Sequence, residues 1–102
     1  MSNYVFAYHG EKALEGSEDG AKYNAKWKAW VYSLGRVMVN PGSPLGRSKT
    51  ISSRGISDNG GSNILLGFSI VKADSMDAAL EMARRCPHLE HGTIEVAEVK
   101  GT

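Results

Sequence analysis

The sequence predicts an α+β domain, an antiparallel sheet with two helices packed on one face. Three patterns carry that reading. Tyr4, Phe6 and Tyr8 alternate with Val5, Ala7 and His9, the period of a strand. Tyr23, Trp27, Trp30, Val31 and Leu34 recur at helical spacing. A second helical stretch, with Met76, Ala79, Leu80 and Ala83 on one face, lies between two runs of strand character. At 102 residues there is room for one hydrophobic core, so residues 1–102 are read as a single domain.

The first strand runs from Asn3 to His9, and its two apolar faces imply a central position covered on both sides. Gly10 ends it. Glu15 to Asp19 places negative charge where a helix N-terminus favours it, and a helix follows from about Glu18 to Leu34 with Lys22, Lys26 and Lys28 toward solvent. Gly35 is a natural stop, with Arg36 beside the negative end of the dipole. Val37-Met38-Val39 reads as a short strand, and Asn40-Pro41-Gly42-Ser43-Pro44 breaks regular structure. Ser48 to Ser53 and Ile64 to Lys72 are expected to form one extended hairpin, turning near Asp58-Asn59-Gly60-Gly61. Asp74 or Ser75 caps the second helix, which continues to about Cys86, carries a Glu81–Arg85 pair and is stopped by Pro87. Thr93 to Val99 is the last strand. The order β-α-β-(β)-β-α-β is the split βαβ, ferredoxin-like arrangement. Two helices cover one face of such a sheet; the other face must also be buried, and a second copy packed sheet against sheet would do so, so the expected partner is the chain itself, as a homodimer.

Composition narrows the function classes. No run approaches the ~20 apolar residues of a membrane span, and the start Met1-Ser2-Asn3-Tyr4 lacks the pattern of a signal peptide. A single cysteine, Cys86, excludes an internal disulfide and fits a reducing compartment, so a cytoplasmic location is expected. The net charge of +1 conceals a pattern: residues 1–19 carry −3, residues 20–55 carry +7 with no acid, and residues 56–102 carry −3. The basic block is either an anion-facing surface or a solvated face neutralised by the acidic flanks after folding.

The stretch Val71-Lys72-Ala73-Asp74-Ser75-Met76-Asp77-Ala78-Ala79-Leu80, then Cys86-Pro87, then His91-Gly92-Thr93-Ile94-Glu95-Val96, resembles the YCII-related domain family, in particular its DGPF-type members. Asn40-Pro41-Gly42-Ser43-Pro44-Leu45 resembles the loop after that family's second strand. The resemblance implies a ferredoxin-like fold, a dimeric α+β barrel, and a pocket between sheet and helices in each subunit. It also places His91 at a family position. Two departures stand out. The naming tetrapeptide of the DGPF group is here Asp58-Asn59-Gly60-Gly61, and the first-helix histidine of shorter members has no counterpart, the comparable positions lying near Tyr23 and Asn24.

His88 and His91, with Glu90 between them, follow the second helix, and His9 ends a strand that can neighbour the last one. Imidazoles titrate near neutrality, so such a set suits general acid–base work. The His-Leu-Glu-His spacing matches no zinc signature, and neither metal nor cofactor is expected. Gly42 to Thr50 has the wrong glycine spacing for a phosphate-binding loop, although Arg47 and Lys49 share a strand face on which they would anchor an anion or simply guard an edge. Asp58-Asn59-Gly60-Gly61-Ser62-Asn63 lacks the following Glu of an EF-hand and reads as a turn. Cys86 sits at a helix C-terminus on a buried face, unfavourable for a thiolate, and Trp27 and Trp30 suit core and pocket wall. Leu66-Gly67-Phe68-Ser69-Ile70-Val71-Lys72-Ala73 occupies the place of an RNA-recognition strand, but Leu66 replaces the cation and Ile70 and Ala73 replace stacking rings. The expected function is therefore His-assisted proton transfer on a small anionic or aromatic compound. His91 or His88 would be acid or base, Asp58 an orienting carboxylate, Arg47 or Lys49 an anion anchor, and His9 a substrate contact. A non-catalytic dimeric ligand-binding or regulatory module is the alternative, with an RNA-binding module behind it.

Overall fold

Strand β1 (Ser2–Gly10) is central in a four-stranded antiparallel sheet, flanked on one side by β5 (Ile64–Ala73) and on the other by β6 (Gly92–Glu98), with β2 (Met38–Asn40) outside β5. The computed structural model describes residues 1–11, 18–58 and 63–101, with the backbone alone over 18–21. Helices α1 (Glu18–Leu34) and α2 (Met76–Arg84) pack on one face, giving the split βαβ, ferredoxin-like order expected. The expectations for Glu15 to Ser17 and for the turn residues Asn59-Gly60-Gly61 fall outside the described residues.

Alternation on β1 decides the core. Tyr4, Phe6 and Tyr8 point to the helices and are buried, while Val5, Ala7 and His9 lie half-buried on the opposite face, where neither described helix packs. Trp30 stacks near Phe6 with ring centroids 6.3 Å apart, and its indole N–H donates to the Met82 carbonyl at 3.0 Å. That bond fastens α1 to the last turn of α2, where the same carbonyl also accepts from the Arg85 N–H at 3.3 Å. Gly35 adopts φ 59°, the left-handed stop expected after Leu34. Ser75 is the N-cap of α2, its hydroxyl accepting from the Ala78 N–H at 3.1 Å.

Three local expectations are corrected. Lys49–Ser52 (β3) pairs with Gly55–Asp58 (β4), in register Ile51 opposite Ile56, as a separate two-stranded sheet. It does not pair with Ile64–Ala73. A turn at Ser53-Arg54 closes the hairpin, helped by Gly55 at φ 133° and by Ser52 Oγ accepting from the Arg54 N–H at 3.2 Å. Short-range closure has the smaller entropic cost, and the apolar β5 is instead placed between β1 and β2. Second, α2 ends at Arg84, and its inner face is Ala79 and Ala83 with Ala78 and Met82 beside them, leaving Met76 and Leu80 exposed. Third, Glu81 pairs with Arg84 at 3.3 Å rather than with Arg85.

The loop between β2 and β3 folds back onto β5. The Leu45 N–H donates to the Leu66 carbonyl at 2.8 Å, Pro44 bridges to Gly67, and the Gly42 N–H donates to Asn40 Oδ1 at 2.8 Å. Gly42 has φ 75°, and a Cβ there would overlap the Phe68 carbonyl oxygen. Gly42→Ala is therefore expected to lower unfolding free energy by more than about 2 kcal/mol in urea titration, whereas Gly46→Ala, facing open space, stays within about 1 kcal/mol of the parent.

Candidate functional site

The β2–β3 loop, the end of α1 nearest β1, the middle of β5 and the short 3-10 turn Pro87–Glu90 enclose a cavity of about 440 Å³. Aromatic rings form its walls. Trp27 meets Tyr8 edge-on at 5.1 Å between centroids, and Tyr23 lies 6.4 Å from Trp27 in a stacked orientation. These rings converge because helical spacing puts Tyr23 and Trp27 on one face of α1, over the β1 face that carries Tyr8. Around them stand Asn24, Ser43, His88 and His91, and among the described residues no Lys, Arg, Asp or Glu lines the cavity.

Two of the three histidines reach this cavity. His88 is buried, its ring edge-on to Tyr8 at 5.2 Å, and its Nε2 lies 2.9 Å from the His9 carbonyl oxygen. In the neutral ring that contact makes Nε2 the donor. The approach is possible because residue 92 is glycine, where a Cβ would overlap the His9 carbonyl and lie 2.9 Å from Nε2 of His88. Burial holds the His88 pKa below its ordinary value, against the opposing pull of the His9 and Thr93 backbone groups. His91 is exposed at the cavity mouth, edge-on to Tyr23 at 5.3 Å. The Tyr8 hydroxyl is directed inward: it donates to Ser69 Oγ at 2.8 Å, and Ser69 donates to the Pro41 carbonyl at 2.8 Å. Desolvation raises the Tyr8 pKa strongly and pushes Tyr23 up to about 12, so both phenols stay protonated near neutrality.

The remaining sequence candidates lie elsewhere. His9 contributes its carbonyl, while its side chain, on the opposite sheet face, sits 3.4 Å from the Asn63 carbonyl and 3.3 Å from Glu95 Oε1. Lys49 and Asp58 pair with each other at 3.1 Å across the β3–β4 hairpin, and Arg47 is exposed just before β3. None of these three lines the cavity. Lys26 pairs with Glu90 at 3.2 Å, so acids from the flanks neutralise part of the basic block. Cys86 is buried, and desolvation pushes its thiol up to about 12. Among the described residues no cluster of His, Cys, Asp and Glu is arranged to hold a metal ion. Sequence reasoning left out Tyr8 and Ser43 as pocket residues and met Tyr23 and Asn24 only as the positions comparable to the first-helix histidine of the resembling family. The Tyr23/Trp27 spacing was the available signal, but it was absorbed into the core.

His88 fixes a pH dependence. The unfolded ring gains its proton as pH falls through about 6.5, whereas the folded ring, with its lowered pKa, resists. Stability present above pH about 6.5 is therefore lost below it. Urea midpoints should fall from pH 8 to pH 5, and His88→Gln should flatten that slope.

The comparisons with known proteins agree with this architecture. The chain is similar in structure to the 5-chloro-2-hydroxyhydroquinone dehydrochlorinase TftG from Burkholderia phenoliruptrix AC1100, solved in complex with 2,5-dihydroxybenzoquinone. The TM-score is 0.61 at 16% identity, over 98% of this chain and 95% of that one. At that identity the likeness speaks for the fold. No curated protein matches in sequence. The model of the YCII-related domain matches residues 1–101. The chain is a member of the YCII-related domain family.

Proposed function

We propose that the cavity takes a small oxygenated aromatic compound and that His91 moves a proton on it. The observation that supports this most is the cavity's composition, rings on two sides with imidazole, amide and hydroxyl groups at the rim and, among the described residues, no ionic side chain. A planar ligand would gain ring contacts with Trp27, Tyr8 and Tyr23, and its hydroxyls would be recognised by Asn24, Ser43 and His91. The quinone bound to TftG is a ligand of this kind.

His91 suits the role of base because among the described residues none hydrogen-bonds its ring, leaving a nitrogen for the ligand. His88, committed to the His9 carbonyl and buried as a neutral ring, acts as wall and positioning group. An electron-rich hydroxylated ring can pass a proton between oxygen and ring carbon, and a base within hydrogen-bond reach accelerates that exchange. Arg47, Lys49 and Asp58 are not needed. Among the described residues no carboxylate lines the cavity, which also supports a reading in which the ligand is bound without turnover.

Anaerobic titration with hydroxyhydroquinone, followed by tryptophan fluorescence, is expected to saturate, with Trp27→Ala weakening binding about tenfold. Ring deuterium incorporation in D2O, followed by proton NMR, is expected to run faster than in buffer and to return to the buffer rate with His91→Ala. Binding without accelerated exchange selects the non-catalytic reading, and no saturation at millimolar ligand removes both.

We also propose that a second copy covers the open sheet face, where Val5, Ala7 and Ile70 lie half-buried opposite the helices. Light scattering during size exclusion should give twice the chain mass of 11.0 kDa, falling to the chain mass in Ile70→Glu.

A further inference from the structure

From Ile64 to Val71 every side chain of β5 is apolar except that of Ser69, and Ser69 is fully buried. A hydroxyl in such surroundings destabilises the fold unless it is hydrogen-bonded. Ser69 uses both its donor and its acceptor. It stands opposite Phe6 on the helix-facing side of the sheet, and Tyr8, opposite Gly67, reaches it diagonally. The Tyr8 hydroxyl donates to Ser69 Oγ at 2.8 Å, and Ser69 donates in turn to the Pro41 carbonyl at 2.8 Å. The chain of bonds thus joins a buried ring of the cavity to the first residue of the β2–β3 loop.

Residues 41–45 of that loop all line the cavity. Strand β2 holds it only briefly, pairing with β5 through Met38 and Asn40. The bond from the Gly42 N–H to Asn40 Oδ1 is local to the turn. The bond from Leu45 to Leu66 and the bridge from Pro44 to Gly67 fasten the far end, where both loop residues are exposed. Water competes for bonds at exposed residues and competes far less for one made by a buried side chain. Ser69 is therefore the tether at the near end that solvent contests least.

We propose that Ser69 is a positioning residue for the ligand site, fixing the loop wall that carries Ser43 relative to the Tyr8 ring. It acts from behind the wall, since it does not itself line the cavity. A ligand held between Tyr8 and Ser43 needs the two at one spacing. When the loop keeps its place for only a fraction of the time, apparent affinity falls by that fraction. The inference rests on the reading of the cavity as a ligand site, and the loop is therefore tested by a measurement that needs no ligand.

Amide hydrogen exchange followed by NMR compares the parent with Ser69→Ala and Tyr8→Phe. Local opening of the loop and global unfolding are separate routes, so a serine that only supports the core would speed exchange at Phe6 and Ala83 and leave Leu45 unchanged. The clamp predicts exchange at Leu45 at least about tenfold faster in Ser69→Ala, and parental in Tyr8→Phe, which retains the bond from Ser69 to Pro41. Hydroxyhydroquinone is expected to bind Ser69→Ala at least about fivefold more weakly in the fluorescence titration. An unchanged Leu45 rate in Ser69→Ala, or an equal acceleration in Tyr8→Phe, overturns the clamp. Faster exchange with parental affinity overturns the positioning role. A parent that binds nothing overturns the ligand site and the positioning role with it, while the exchange rates still decide the clamp. Should Ser69→Ala fail to fold, Ser69→Cys, a weaker donor, replaces it, and a parental Leu45 rate there overturns the proposal.

Discussion

The alternation of β1 is the constraint on which the rest depends. Because Tyr4, Phe6 and Tyr8 turn toward the helices, the core is aromatic and needs large partners, which Trp27 and Trp30 supply from α1. The same alternation sends the His9 side chain to the far face and leaves its carbonyl, at the end of the strand, for His88. One strand thus supplies the floor of the core, a ring of the cavity and the acceptor that seats its buried histidine. A one-residue slip would exchange all three at once.

How much of this could be read from the chain follows from the range of the interactions. Helix α1, the capped α2 and the central β1 are set by periodicities and caps within a few residues, and they occur nearly where the sequence placed them. The β3–β4 hairpin was misread because Asn59-Gly60-Gly61 is a stronger turn signal than Ser53-Arg54, and the choice between them depends on β5 being held by β1 and β2. Trp27 was legible as a wall, since a ring at helical spacing beside the core has few other places to go. Ser43 was not, since it reaches the cavity only after the β2–β3 loop has folded back, and Asn24 was marked only by the family resemblance. His91 was singled out on resemblance, whereas the burial of His88 depends on Gly92 lying against His9, a contact of long sequence separation.

Charge shows the same division. The run of seven cations between residues 20 and 55 is continuous in sequence but scattered in space, over the exposed side of α1, the following turn and the hairpin. Lys26 and Lys49 find carboxylates at Glu90 and Asp58. A charge block therefore predicted its own neutralisation better than it predicted an anion site.

Cys86 has a consequence of a different sort. Quinones and their relatives are electrophiles that capture thiolates. This chain carries a single sulfhydryl, holds it out of solvent beside Pro87, and keeps it protonated far above neutrality. A thiol held in that way is a poor nucleophile toward any electrophilic ring, and its inertness comes from packing.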